Sequence, residues 1–315
     1  MTGKRCLGLD TSNYTTSTAL FDGADGYQLG RLLDVEAGSL GLRQSDALFQ
    51  HVKRLPELFD RLRREGRLED IAAVGASVKP RWVEGSYMPC FLAGETAGRI
   101  LADTLGVPFF PCAHQQGHIA AVAWGAGRLE MLDKPLLAWH LSGGTTELLY
   151  VEPDGTGVLP QKIGGTSDIS AGQLIDRAGV LLGLSFPAGK GVEKLSRQAQ
   201  KREYYKVKVN GLTFSLSGME NKVRQMVQRG EEPAEIAWFA QETVCRVVQA
   251  CTKAAMEEYP GLPVLCSGGV ASNGRLKELL RQNCGALFAQ PQFSTDNAMG
   301  TAVLTWRALE RGRRV

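Results

Sequence analysis

The chain has 315 residues, 43% of them hydrophobic and 22% charged, with 37 glycines and 7% aromatics, a composition that excludes a disordered chain, a collagen-like fibre and a small disulfide-stapled module. At the usual ~100–200 residues per domain it is long enough for roughly two domains, or one fold with two lobes. Thirty-six Lys and Arg face 33 Asp and Glu, a formal charge of +3, so bulk electrostatics gives no argument for nucleic acid and any RNA contact must come from a local patch.

The seven cysteines, Cys6, Cys90, Cys112, Cys245, Cys251, Cys266 and Cys284, are widely spaced with no C-x-x-C pair, which reads as buried reduced thiols. Residues 1–5 lead into a strand-like segment rather than an apolar signal core. No stretch reaches the ~18 uninterrupted apolar residues of a membrane span. These features point to the cytoplasm and to no membrane partner.

Residues 6–10 and 16–21 are short apolar or β-branched runs around the polar turn Thr11-Ser12-Asn13-Tyr14-Thr15, with Asp22-Gly23 as a following turn signal. They predict a β-hairpin with a hydroxyl-rich tip. Between 45 and 65, Leu48, Val52, Leu55, Leu58 and Leu62 recur every three or four residues, an amphipathic helix for which Ser45 or Asp46 is the expected N-cap. A buried strand follows at 71–78. Residues 90–105 have helical spacing with Ala93, Gly94, Ala97 and Gly98 among the apolar residues, small enough to let that helix sit close against a sheet. Residues 109–112 are again strand-like, and 114–124 read as an Ala-rich helix.

The segment 125–135 mixes Gly, Pro and charge without a sustained period and divides an N-terminal lobe (1–127) from a C-terminal lobe (128–315). The opening theme then returns: a strand at 136–141, the turn Ser142-Gly143-Gly144-Thr145-Thr146 and a strand at 147–151. This predicts an internal duplication of architecture. A third loop, Ser267-Gly268-Gly269-Val270-Ala271-Ser272-Asn273, lies between a strand at 263–266 and a helix at 274–282. Glycines there let backbone N–H groups approach a phosphate at a helix N-terminus, although strand-to-helix turns also use Gly for steric reasons alone. A last helix is expected at 298–311.

Of the four histidines, His51, His114, His118 and His140, two form His114-Gln115-Gln116-Gly117-His118. On a helix, i,i+4 spacing puts both imidazoles on one face about 6 Å apart, suited to a single metal ion, with a chance pair as the alternative. Two imidazoles do not close a site, so a carboxylate must come from elsewhere. Asp296, in Thr295-Asp296-Asn297, stands at the start of the last helix, where an N-cap is the simpler reading. Asp176 lies on an apolar helical pattern and is able to hydrogen-bond a sugar hydroxyl; a surface Asp paired with Arg177 is the alternative. Residues 190–208 hold Lys190, Lys194, Arg197, Lys201, Arg202, Lys206 and Lys208 with Tyr204 and Tyr205 interleaved. Such a run can track a phosphate backbone and stack bases, or be a solvated helix face. Arg311-Gly312-Arg313-Arg314 is a second basic run.

Together, Leu9-Asp10-Thr11-Ser12, the His114 to His118 motif, Ser142-Gly143-Gly144-Thr145, Ala171-Gly172 with Asp176, residues 182–189, Phe214-Ser215-Leu216-Ser217-Gly218, residues 267–273 and Thr295-Asp296-Asn297 form a collinear set. It resembles, over nearly the whole chain, the threonylcarbamoyl-adenosine tRNA synthase family of bacterial TsaD and its archaeal and eukaryotic relatives, formerly described as glycoprotein endopeptidases. The resemblance implies a two-lobed α/β fold, the actin-like, Hsp70-like and sugar-kinase-like ATPase fold, with duplicated lobes, a nucleotide cleft between them and the last helix packing back on the N-terminal lobe. It implies one divalent metal ion, iron or zinc, held by His114, His118 and Asp296. It also implies an adenine nucleotide, ATP or threonylcarbamoyl-AMP, lined by Ser142, Gly143, Gly144, Thr145, Asp176, Gly189 and Asn273. The implied chemistry is transfer of a threonylcarbamoyl group from an adenylate to the N6 amine of the tRNA adenosine next to the anticodon. The implied partners are tRNA, a separate adenylate-forming enzyme and accessory subunits on the N-lobe helices.

The chain departs from the family pattern at several positions. Tyr14 and Thr15 stand where the family has acidic residues, Thr145 replaces a His, Gln116 a Glu, Ile169 the second residue of an Asp-Asp pair and Glu220 a Lys, and Lys79-Pro80-Arg81 replaces Gly-Pro-Gly. Retention of the metal triad with loss of much of the polar shell implies a divergent paralogue. A carbamoyl transferase acting on a small-molecule acceptor and a non-catalytic nucleotide-binding partner subunit are the alternatives; the retained triad argues against the second. Neither an H-E-x-x-H motif nor a Ser/His/Asp pattern supports a protease.

Overall fold

The computed structural model describes residues 4–35, 42–155, 157–288 and 298–312. Asp296, the implied third metal ligand, and the end of the basic tail lie outside the described residues. The chain divides into two compact units, Met1–Lys134 with Glu152–Pro160 and Thr295–Val315, and Pro135–Val151 with Gln161–Ser294.

In the first unit β1 (Arg5–Thr11) and β2 (Thr15–Phe21) form the expected antiparallel hairpin. β3 (Gly26–Leu32) flanks β2, while β4 (Ile71–Lys79) and β5 (Phe109–Ala113) extend the sheet in parallel beyond β1, in the order β3-β2-β1-β4-β5. Parallel neighbours need crossovers, which α1 (Gln44–Arg64) and α2 (Phe91–Leu105) supply. The period-2 alternation of β1 sorts its side chains. Leu7 and Leu9 pack among Leu55, Leu58 and Leu62 of α1 and Ala93 and Ala102 of α2. Gly8 and Asp10 take the opposite face, where a Cβ on Gly8 would lie 2.4 Å from the backbone of Ala302 in α9 (Met299–Gly312). α9 crosses α3 (His114–Gly125) so closely that a Cβ on Gly300 would fall 1.7 Å from the Gly117 carbonyl oxygen.

The cap of α1 differs from expectation. Its N-cap is Arg43, which makes no side-chain cap, and Ser45 and Asp46 lie inside the first turn. Gln44 donates to Asn13 Oδ1 at 2.6 Å, which ties the start of the helix to the hairpin tip, and Asp46 is left to favour the positive end of the helix dipole. The segment 125–135 contains a 3₁₀ turn at Leu129–Asp133.

The second unit repeats the first. β6 (Leu136–Leu141) and β7 (Thr146–Asp154) are an antiparallel pair, β8 (Gly157–Thr166) lies beside β7, and β10 (Val264–Ser267) and β11 (Leu287–Phe288) run parallel beyond β6. Strand for strand this is the order of the first sheet, with a short β9 (Thr213–Phe214) added at the β8 edge. The duplication anticipated from the repeated turns is therefore one of topology. α4 (Ala171–Leu181), α5 (Gly189–Ser196), α6 (Ser217–Gln228), α7 (Pro233–Glu258) and α8 (Gly274–Cys284) complete the unit. The core joins Trp139, Leu141 and Leu148 of the sheet to Val244, Val247, Val248 and Cys251 of α7, and Trp139 Nε1 donates to Thr252 Oγ1 at 2.9 Å. The helix-face reading of 190–208 fails beyond Ser196, where α5 ends. All seven cysteines are buried and outside any disulfide, and no helix of the described residues is long and apolar enough to cross a membrane.

Candidate functional site

α3 starts directly after β5, so His114 is its first residue and His118 follows one turn later on the same side. The two Nε2 atoms are 3.0 Å apart and the ring centroids 4.4 Å, closer than helix spacing alone suggests because the rings turn toward each other. His114 Nδ1 lies 2.8 Å from Asp10 Oδ1, and the same oxygen accepts from Ser77 Oγ on β4. A carboxylate can only accept, so His114 Nδ1 carries a proton, and in the neutral ring Nε2 presents a lone pair. Among the described residues, Asp10 Oδ2 is buried with no hydrogen-bond partner.

Gln116 holds the start of α3. Its Oε1 accepts from Ala113 N at 2.7 Å and its Nε2 donates to the Val158 carbonyl at 2.6 Å. A Glu could not make the second bond, which gives a structural reason for this departure. Glu220 is likewise fitted to its place, 2.5 Å from Arg177 and 2.7 Å from Arg224. Cys112, on β5, donates to Thr301 Oγ1 at 3.7 Å; burial pushes its thiol up to about 12, so it is neutral near pH 7.

Among the described residues no group of three or more His, Cys, Asp and Glu is arranged to hold a metal. The imidazole pair nevertheless suits the ion the family implies. Its nitrogens are 3.0 Å apart, within the span of two ligands that each bind at about 2.0–2.1 Å, and a carboxylate behind one ligand imidazole is the usual orienting partner. Asp10 and Ser77 were not legible as its support from spacing. The available signal was the one acidic residue in the otherwise uncharged run from Cys6 to Thr11.

In the second unit Ser142, Gly143, Gly144 and Thr145 make one tight turn. Ser142 N donates to the Thr145 carbonyl at 2.8 Å, and Thr145 N donates to Ser142 Oγ at 3.0 Å. Among the described residues a Cβ on Gly143 or Gly144 would meet nothing within 4 Å, so this backbone has open space beside it there. Ser170 caps α4, accepting from Gln173 N at 3.0 Å, and donates from the same hydroxyl to the Gly143 carbonyl at 2.6 Å. Thr146 Oγ1 accepts from Ala171 N at 2.8 Å. The first turn of α4 is thereby fastened to the glycine turn.

Asp176 is not the surface partner of Arg177. Its Oδ1 accepts from Ala188 N at 2.7 Å, and burial raises its pKa against the lowering effect of the Ala188 and Gly189 N–H groups. It thus holds the start of α5. One turn on, Glu193 Oε1 accepts from Gly274 N at 3.2 Å. Asn273 caps α8 by accepting from Leu276 N at 3.0 Å and donates to Gln241 Oε1 at 2.9 Å. Gly268 has φ +93° and a Cβ there would sit 2.2 Å from the Leu141 carbonyl oxygen, so only glycine fits.

Two units with one strand order define an α/β protein of the actin-like, Hsp70-like and sugar-kinase-like ATPase fold. Full-length HypF in its phosphate- and nucleotide-bound form is similar at a TM-score of 0.62 and 15% identity, covering 97% of this chain and 46% of that one. Component A of the (R)-2-hydroxyglutaryl-CoA dehydratase of Acidaminococcus fermentans gives 0.55 and 16% over 97% and 99%. A ROK family glucokinase from Streptomyces griseus, in complex with glucose and AMPPNP, gives 0.52 and 13% over 96% and 99%. At these identities the likeness is one of fold alone.

Residues 41–303 match the family model of TsaD, tRNA N6-adenosine threonylcarbamoyltransferase. The Thermus thermophilus protein of that description is 33% identical over 270 residues, 84% of this chain and 79% of that protein. That of Streptococcus pneumoniae is 33% identical over 221 residues, 67% of this chain and 62% of that protein. The chain belongs to this family.

Proposed function

We propose that the protein is a metal-dependent transferase that moves a threonylcarbamoyl group from threonylcarbamoyl-AMP to the N6 amine of the tRNA adenosine next to the anticodon. The observation that carries this reading is the pair of Nε2 atoms 3.0 Å apart, one of them keyed by Asp10, in a chain one-third identical to proteins named for that activity. His114, His118 and Asp296 are the proposed ligands of the ion, iron or zinc. When bound, the ion supplies a Lewis acid for the acyl carbonyl. Asp10 keeps the His114 proton on Nδ1 and so reserves Nε2 for the ion. The open amides of Gly143 and Gly144, in the turn shaped by Ser142 and Thr145, take up charge at the phosphate. Asp176 and Gly189 at the start of α5, with Asn273 at the start of α8, line the nucleoside. The amine nitrogen forms the new C–N bond, the C–O bond to phosphate breaks, AMP leaves with the electron pair and the amine gives up a proton.

The donor requires a separate ATP-dependent adenylate-forming enzyme, and the acceptor places the reaction in the cytoplasm. Accessory subunits dock on α1 and α2, whose Val52, Leu92 and Ile100 are exposed at 57%, 41% and 60%. The test is mass spectrometry of tRNA nucleosides from a strain whose housekeeping enzyme has been replaced by this chain, with metal analysis of the purified protein. Threonylcarbamoyladenosine is expected, with about one first-row metal per chain. His118→Ala should lose both, and Asp10→Asn should bind the metal about 10–100-fold more weakly. Full metal occupancy in His118→Ala removes the ligand assignment. Unmodified tRNA alongside a carbamoylated small molecule transfers the activity to another acceptor.

A further inference from the structure

The segment 190–208 contains seven Lys and Arg against two Glu, a net +5 in a chain whose total is +3. The positive excess of the whole molecule is therefore concentrated here. Lys190, Lys194, Lys201, Lys206 and Lys208 are all exposed. Among the described residues none of these five has a carboxylate within ion-pair distance, whereas the Arg197 guanidinium pairs with Glu193 at 2.9 Å.

The lysines are presented on a fixed backbone. The Glu235 carboxylate on α7 accepts from three successive N–H groups, those of Gln200, Lys201 and Arg202, at 2.6, 3.0 and 3.2 Å. Thr243 Oγ1 accepts from Tyr205 N at 3.1 Å. From there the chain alternates, with Val207 and Val209 packed against the core and Lys206 and Lys208 exposed between them, as an extended strand-like run requires. Tyr204 and Tyr205 are 43% and 44% exposed. The Arg246 guanidinium lies 5.4 Å from the Tyr204 ring centre and Lys222 Nζ lies 4.6 Å from that of Tyr205.

Unpaired lysines on α5 and on the tethered run that follows it, beside half-exposed aromatic rings, match a polyanion that also carries flat bases. An anionic membrane would need aliphatic side chains exposed next to the lysines, and here Val192, Leu195, Val207 and Val209 face the core. We propose that residues 190–208 are the surface that binds the phosphate backbone of the RNA substrate, with Tyr204 and Tyr205 stacking on unpaired bases. The proposal rests on the reading of tRNA as the acceptor and gives that acceptor a docking surface on the second unit.

The test is tRNA binding by fluorescence anisotropy across a salt series, on the full chain. The triple variant Lys201→Gln, Lys206→Gln, Lys208→Gln should bind at least about tenfold more weakly near physiological salt. Its slope of log K against log salt should fall by about 2, since each contact to a single strand contributes about 0.7. The triple Arg variant should keep both affinity and slope. Tyr204→Ala with Tyr205→Ala should lower affinity and leave the slope unchanged. Metal content and thermal unfolding should match the parent in all three, because these side chains are neither ligands nor core. Parental affinity and slope in the triple Gln variant overturn the surface while leaving the transferase reading intact. Lysine-dependent binding to phosphatidylserine vesicles with none to tRNA overturns it in favour of a membrane. Lysine-dependent tRNA binding with no nucleoside modification keeps the surface and removes the transferase reading.

Discussion

His51, on α1, is completely buried, with Nε2 2.8 Å from the Ser12 carbonyl oxygen and Nδ1 2.8 Å from Thr16 Oγ1. A carbonyl only accepts, so Nε2 carries a proton, and in the neutral ring Nδ1 accepts from the hydroxyl. Burial pulls its pKa below the ordinary 6.5, against the raising effects of the Ser12 carbonyl and the Asp10 charge. As pH falls below 6.5 the unfolded chain binds the proton first, so stability present above that value is lost down to the lower folded one. In this window the parent should lose stability relative to His51→Gln, by at most about 1.4 kcal/mol per pH unit, as read by urea unfolding across pH. Parallel profiles for the two proteins would remove the assignment. His51 and the pair His114 and His118 also mark what single residues disclose. The i,i+4 spacing is local and was readable, whereas the partners Ser12, Thr16 and Asp10 come from a hairpin 35 to 104 residues away.

At the scale of the element, the start of α4 joins stability to the proposed nucleotide site. Ser170 and Gln173 form a reciprocal capping box, and the Ser170 hydroxyl also donates to the Gly143 carbonyl. Ser170→Ala should cost about 1 kcal/mol of unfolding free energy, the usual worth of a cap, and should weaken binding of a threonylcarbamoyl-AMP analogue severalfold by loosening the glycine turn. Ser170→Thr should restore both. Denaturation and calorimetric titration of the two variants are the measurements, and unchanged analogue affinity in Ser170→Ala would separate the cap from the site. Two kinds of element were legible: α1 shows its stripe, and the strands flanking the polar turns show as short apolar or β-branched runs. α7 was not, because its buried residues run from Ile236 to Ala255 around more than one face, which leaves no narrow stripe. The end of α5 was hidden for the opposite reason, since the Lys-rich run after it carries charge at every spacing and its conformation is set by Glu235 and Thr243.

For the whole molecule, strand order is the property least visible in the sequence, because pairings such as β10 with β6 join residues 127 apart that no local pattern relates. The repeat of one order in both sheets was foreshadowed only by the two strand–turn–strand themes. Burial is the other molecule-wide property, and the cysteines report it. Burial pushes Cys251, like Cys112, up to about 12 and raises Cys245, Cys266 and Cys284 as well. Thiolate at neutral pH is therefore negligible at these positions, and a thiol reagent should modify none of them in the native protein. Cys245, Cys251, Cys266 and Cys284 share the large core of the second unit, whereas Cys90 sits in a small cluster with Leu33, Ala47 and Phe91. Local opening follows the apolar contact a segment must give up, so pulsed labelling at rising urea with mass-spectrometric readout should modify Cys90 first and the four core thiols together, later. Labelling of any of those four ahead of Cys90 would show that the small cluster, and not the large core, is the last part of the molecule to open.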